Sequence, residues 1–356
     1  MINEIDIDWI LNGSTHLNFE GGIACRLQCG GCMMRHDMKD ASIGWGERYN
    51  IRFDSYKVLL DTFDNYDFCG NLSDPIYHPD FIKTLEYMKG KDKKMIFHTN
   101  GSGKSATWWT KVFKLFEGEK RWSWIFALDG LPEDSHKYRI KQNGEQVWEM
   151  MKLGRSMNVN IAWQYIVFKY NQNDIQEAHL MAAEYGIEFK EMHSTRWVDD
   201  STKANGGTGT GVDMSIYKPE EQHRTQPRSV LNDNDIAITT LHDPLPMKIE
   251  IDPDCLNREL RKPIMFNSMG FFIPCCEKDQ WVDHLRTRGF YDERFHIDNL
   301  KTPEDIRNVF LSDVWQNFYT GLFNDPENAP KNCKTFCMKN TNIKSGGAGK
   351  DPKGFV

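Results

Sequence analysis

Three cysteines in one short loop set the first chemical question. Residues 25–32 read Cys-Arg-Leu-Gln-Cys-Gly-Gly-Cys, so Cys25, Cys29 and Cys32 are separated by three and then two residues. Thiolates at that spacing, with Gly30 and Gly31 letting the backbone curl, can point from one loop at a single metal centre. Three ligands from one loop suit a cluster better than a disulfide. In an iron–sulfur cube they leave one iron without a protein ligand, open to a small molecule. The loop alone also fits a structural zinc site of three cysteines and one histidine, with His36 as the last ligand.

The elements that must position this loop show in the alternation around it. From Leu17 to about Glu191, short apolar runs alternate with longer amphipathic segments, the pattern of repeated strand–helix units around a parallel sheet. Strands are expected near 17–23, 66–70, 94–98, 122–129, 159–168 and 187–192. Helices are expected near 53–63, 79–90, 105–117, 143–153 and 173–185. An α/β sheet of this kind binds ligands at the carboxyl ends of its strands, and the Cys25 loop comes directly after the first strand. Of the eleven tryptophans, most have the alternating or helical spacing of core residues. Trp163 and Gln164, on the fifth strand, are the two residues expected to face a cavity.

Motifs at the ends of the second, third and fourth strands separate the chain from zinc modules. Residues 69–80, at the end of the second strand, read Cys-Gly-Asn-Leu-Ser-Asp-Pro-Ile-Tyr-His-Pro-Asp. His98-Thr99-Asn100-Gly101-Ser102 ends the third strand, and Ala127-Leu128-Asp129-Gly130 leads through His136 to Arg139 after the fourth. In this order, the motifs resemble those of the radical S-adenosylmethionine (SAM) enzymes over about residues 17–193. The resemblance implies a partial (β/α)6 TIM-type barrel. It also implies that Cys25, Cys29 and Cys32 bind a [4Fe-4S] cluster whose open iron chelates the amino and carboxylate groups of SAM.

Within that resemblance Asp74 is placed to accept a hydrogen bond from the SAM amino group, and Arg139 to pair with its carboxylate. Asn100, Asp129 and Gln164 are further expected SAM contacts, Asp129 at the ribose. Each has an ordinary structural role open to it as well: Asp74 as the cap of the next helix, Arg139 in a surface ion pair, Asn100 and Asp129 as turn residues before glycine. Two positions depart from the common pattern. Gly31 stands where many members have an aromatic residue, which leaves the covering of the adenine open on that side, and Ala127 stands where many carry serine.

A second cysteine group lies beyond residue 248. Cys255 is succeeded by Gly270 after fourteen residues and by Cys275 after four more. This resembles the opening signature of the SPASM and twitch extensions, and Cys333 with Cys337 resembles the closing pair. The resemblance implies one auxiliary [4Fe-4S] cluster on Cys255, Cys275, Cys333 and Cys337. Cys276 is expected not to be a ligand, because adjacent residues of an extended strand point to opposite faces. A four-cysteine zinc site is the alternative. Cys69, alone near the barrel mouth, carries no assigned role.

The domain division that results is a barrel over 1–198, a linker or flap over 199–247, a twitch-like auxiliary-cluster unit over 248–340 and a flexible tail over 341–356. A net charge of -7 argues against a surface that coats nucleic acid. Neither a signal peptide nor a membrane span is legible, and nine cysteines cannot all pair, so a reducing cytoplasm is expected. The 24 residues before Cys25 are too few for the N-terminal peptide-recognition domain of many peptide-modifying relatives. The reading is a radical SAM enzyme that cleaves SAM reductively to a 5'-deoxyadenosyl radical and removes hydrogen from a peptide or a small molecule. Its electron donor would be a flavodoxin or ferredoxin. The rival reading is a non-catalytic iron–sulfur or zinc protein, an electron carrier or binding module.

Overall fold

The structure, a computed structural model, describes residues 16–32, 45–70, 72–194, 214–223, 250–251, 264–275, 282–330, 333–334 and 337. Among these residues six strands lie side by side in sequence order, all parallel: β1 (His16–Phe19), β2 (Asn65–Phe68), β3 (Lys94–Thr99), β4 (Trp122–Ala127), β5 (Asn160–Ile166) and β6 (Glu188–Met192). The crossovers are helical: α1 (Phe53–Thr62), α2 (Phe81–Met88), α3 (Ala106–Leu115), α4 (Gly144–Ser156) and α5 (Ile175–Glu184). This is the α/β, partial (β/α)6 barrel that the resemblance implies, built from the strand–helix units that the alternation implies. A hairpin, β7 (Ile264–Phe266) and β8 (Phe272–Ile273), extends the sheet, with β7 parallel to β1 and antiparallel to β8. Behind it come α6 (Val282–Thr287), α7 (Pro303–Leu311) and α8 (Asp313–Asn324), with α7 against α1. No helix among the described residues is long and apolar enough to cross a membrane.

Alternation along the strands divides the sheet into two faces. On the helix side an aromatic ladder crosses from strand to strand, Phe19 to Phe68 at 5.1 Å, Phe68 to Phe97 at 4.9 Å and Phe97 to Trp124 at 5.0 Å between ring centroids. Trp109 of α3 closes on Trp124 at 5.1 Å. Such pairs add about 0.5–1.5 kcal/mol each beyond the area they bury. The opposite face, the lumen, carries a small apolar patch of Ile96, Ile125 and Ala162. Strand register sets Asn18, Asp67, His98, Ala127 and Gln164 on that face.

Several elements differ in detail from the expectation. Trp163 does not face the cavity: it is fully buried on the helix side, 5.2 Å from Trp148, with its Nε1 donating to Leu128 O at 2.6 Å. Alternation allows only one of two adjacent residues on each face, and Gln164 takes the lumen side. β1 stops at Phe19 rather than 23, because Gly21 O accepts from Ile51 N at 2.9 Å and Ile23 N donates to Asn50 Oδ1 at 3.2 Å, drawing the chain off the sheet. Residues 303–324 form two helices, α7 and α8, broken where Ser312 turns extended (ψ 154) and its Oγ donates to Val309 O at 2.6 Å. Cys255, Cys276, His36, the glycine-rich run 205–211 and the 341–356 tail lie outside the described residues.

Candidate functional site

Each motif leaves the carboxyl end of a strand, so that loops far apart in sequence meet at one mouth of the barrel. The cysteine loop is fixed by Gln28 N donating to Ile140 O at 3.0 Å and by Cys32 N donating to Cys29 O at 3.2 Å. Beside it Asp74 N donates to Ala24 O at 3.0 Å. Asn100 Nδ2 lies 3.3 Å from Cys25 Sγ, within range of an amide-to-sulfur hydrogen bond. The loops after β1, β2, β3 and β4 are thereby joined.

Gly30 and Gly31 are small for a reason other than backbone curl, since neither has a positive φ. A Cβ on Gly30 would sit 3.2 Å from the ring of Tyr217. One on Gly31 would sit 3.0 Å from both Met214 Sδ and the Tyr138 hydroxyl. Residues 214–223 thus lie across the cysteine loop. Lys169 N donates to Tyr217 O at 2.9 Å and Glu220 N to Gln172 Oε1 at 2.8 Å, while the Tyr217 ring meets Tyr138 at 5.4 Å. In sequence this segment reads only as linker or flap; its contacts are long-range, and no local motif announces them.

Asp74 is buried and serves as a hub. Its carboxylate accepts from Ile76 N at 3.2 Å, from Thr99 Oγ1 at 3.0 and 3.1 Å, and from Asn100 N at 2.7 Å. Three donors leave one of about four lone-pair positions of a carboxylate. Burial pushes its pKa up to about 6, against the pull of these hydrogen bonds and of Arg139. The same residue caps the short turn Pro75–Tyr77, so its structural role and its position at the mouth coexist. Asn100 is tied at every group: besides its bonds to Cys25 and Asp74, its Oδ1 accepts from Ser102 N at 2.9 Å. Gln142, which carries no sequence signal, donates from Nε2 to Asn100 O at 2.7 Å and to Ala127 O at 3.0 Å. Its buried Oε1 has no hydrogen-bond partner among the described residues.

Asp129 and Arg139 form a buried pair, Nε to Oδ2 at 2.7 Å. The other carboxylate oxygen of Asp129 accepts from Ile166 N at 2.8 Å. Burial raises the Asp129 pKa while Arg139 lowers it. Burial disfavours the charge on Arg139, but Asp129, Cys29 and Tyr138 outweigh it and hold the guanidinium charged. Its Nη groups carry no partner among the described residues. Burial pushes the Cys25 thiol up to about 12, with Asp74 next in effect, and the Cys29 thiol up to about 11, where Arg139 pulls the other way. Three thiols of one loop, near enough to act on one another electrostatically and accompanied by a sulfur-directed amide and a guanidinium, are ligand types that an iron–sulfur cluster takes.

Gly270 sits at the β7–β8 turn with φ +87, and a Cβ there would lie 2.6 Å from His296 Nε2. Both conformation and space demand glycine at this turn. Cys275 comes two residues after the end of β8, and Cys333 and Cys337 pack against the main core.

No protein-family model and no curated protein matches the chain. Among solved structures it is similar to Streptococcus suis SuiB bound to its precursor peptide SuiA, with a TM-score of 0.53 and 13% identity over 85% of this chain and 65% of that one. SuiB bound to S-adenosylmethionine gives a TM-score of 0.52 at 12% identity over 85% and 64%. The structure of anSMEcpe with bound AdoMet gives 0.48 at 13% identity over 85% and 80%. The chain spans about two thirds of the length of SuiB, 65% in the peptide complex. At these identities the likeness to SuiB is one of fold.

Proposed function

We propose that the chain is a radical SAM enzyme. One observation carries the reading: Asn100 reaches Cys25 Sγ with its side chain and Asp74 with its backbone N–H, so the cysteine loop and the second-strand motif are one site. Cys25, Cys29 and Cys32 would hold the [4Fe-4S] cluster. When bound there and reduced, the cluster supplies one electron to the SAM sulfonium, releasing methionine and a 5'-deoxyadenosyl radical. Asp74 keeps one acceptor position for the SAM amino group, and the Nη groups of Arg139 pair with its carboxylate. Asp129 orients Arg139, and Met214 with Tyr138 fills the space above Gly31, excluding water on the side where the adenine would lie. Gln164 faces the lumen, where substrate would enter.

SuiB, which shares the fold, has been seen with SAM and with a precursor peptide, and this supports SAM as cosubstrate and favours a peptide over a small molecule as the molecule modified. We assign Cys255, Cys275, Cys333 and Cys337 to one auxiliary [4Fe-4S] cluster in a unit over 248–340. Ligation by four thiolates suits it to electron transfer. A cytoplasmic flavodoxin or ferredoxin would supply the reducing electron.

The test is anaerobic incubation of reconstituted, reduced protein with SAM. 5'-Deoxyadenosine is the expected product. Its formation should vanish when Cys25, Cys29 and Cys32 are all replaced by alanine, with the far-UV circular dichroism retained. Cleavage that survives in the triple variant overturns the proposal, and absence of cleavage in the parent favours an electron carrier or binding module.

A further inference from the structure

The lumen face holds a second set of metal-ligating side chains. The ligand atoms of Asp67, Cys69 and His98 all lie within 4.8 Å of one another. His98 Nε2 is 2.9 Å from Asp67 Oδ1, yet that buried oxygen has no hydrogen-bond partner among the described residues. The two atoms stand side by side rather than donor to acceptor. Asn18 faces Asp67 across the β1–β2 ladder; it is 7% exposed, and its Oδ1 also has no hydrogen-bond partner among the described residues. Native structures rarely leave buried polar atoms unsatisfied, and two neighbouring oxygens in that state beside a thiol and an imidazole describe a cradle for a cation.

We propose that Asp67, Cys69 and His98 bind a divalent metal ion of the zinc class in the barrel lumen, with a coordination position left open. A sulfur, nitrogen and oxygen set excludes magnesium and calcium, which take oxygen ligands, and suits zinc. Three protein ligands with a fourth position free are the arrangement of a zinc site that binds a substrate or water rather than one that only holds the fold. Asn18 Oδ1 lies on the same face to accept from a group in that position. Burial, with Asp67, Glu20 and Asp74 adding to it, pushes the Cys69 thiol well up, so the metal would displace a proton from it on binding. The metal site stands independently of SAM chemistry; its use, anchoring an oxygen or nitrogen of the substrate beside the mouth, rests on the function proposed above.

Zinc chloride titrated calorimetrically into the cluster-reconstituted protein is the probe, with iodoacetamide labelling of Cys69 and then peptide mass spectrometry. The expected result is a single tight equivalent of zinc that slows Cys69 labelling about tenfold or more and is reversed by EDTA. Cys69→Ser and His98→Gln should each weaken zinc binding about tenfold or more while keeping their iron. Should either lose its iron, Asp67→Asn, which preserves shape, supplies the same reading. Zinc that leaves Cys69 labelling unchanged, or that binds His98→Gln or Asp67→Asn as tightly as the parent, overturns the proposal. Protection of Cys69 should persist in the variant lacking Cys25, Cys29 and Cys32, which separates failure of this site from failure of the radical SAM reading.

Discussion

At Asp74 one side chain caps a turn, fastens the end of β3 and still keeps an acceptor free. On the proposed function, replacing it by alanine would remove a charge-assisted contact to the SAM amino group worth roughly 1.5–3 kcal/mol, so SAM affinity should fall about tenfold to a hundredfold with cluster content retained. Titration of the cluster's spectrum with SAM reads this directly, and an unchanged affinity would return Asp74 to a capping role alone. Nearby, His78 is built to be neutral: Asp80 N donates to its Nδ1 at 3.1 Å, and its Nε2 lies 3.0 Å from Ile51 O. Burial lowers its pKa. The unfolded chain therefore takes up the proton first, and stability present above the ordinary histidine value of about 6.5 is lost as pH falls below it. Urea unfolding at pH 5.5 and 7.5 should show this loss in the parent and a smaller one in His78→Gln. Asp74, Asn100 and Arg139 were legible because their motifs are local in sequence. Gln142, Met214 and Tyr217 were not, because their importance lies in contacts made across 15 to about 190 positions of chain.

Elements were read more reliably than their ends. Alternation of apolar residues located all six barrel strands, yet β1 ends early because a backbone donor, Ile51 N, and a side-chain acceptor, Asn50 Oδ1, draw the chain off the sheet, and α7 parts from α8 where Ser312 turns extended and its hydroxyl donates back to Val309 O. The fit of the 214–223 segment over the cysteine loop can be tested at Gly31. Alanine there meets only the movable end of Met214 and the Tyr138 hydroxyl and should be tolerated; phenylalanine should displace the segment and speed its limited proteolysis. Equal proteolysis of Gly31→Phe and the parent would show that the segment does not depend on that space. At the hairpin, Gly270→Ala forces a left-handed φ and an overlap with His296, and should cost about 1–3 kcal/mol in denaturant unfolding. A loss below about 0.5 kcal/mol would mean that the turn can rearrange.

Across the whole molecule, β1 is the first barrel strand in sequence but an interior strand in space, held by β2 on one side and β7 on the other. That pairing could not be read from alternation, which gives strands but not the order in which they meet. Phe266→Pro, at the β7 residue whose carbonyl accepts from Glu20 N at 2.8 Å, removes the donor on that same edge and should release the amides of Asn18 and Glu20 to faster hydrogen exchange, although the substitution is remote in sequence. Unchanged exchange there would show that β2 alone secures β1. The arrangement also has a consequence in time. During synthesis β1 emerges with its partner β7 still about 245 residues away, which at 5–20 residues per second is an interval of roughly 12–50 s. Throughout that interval one edge of β1 is uncovered, and the Cys25 loop that leaves it opens onto an unfinished sheet. A ribosome stalled within such a window would present an unpaired strand edge to its neighbours.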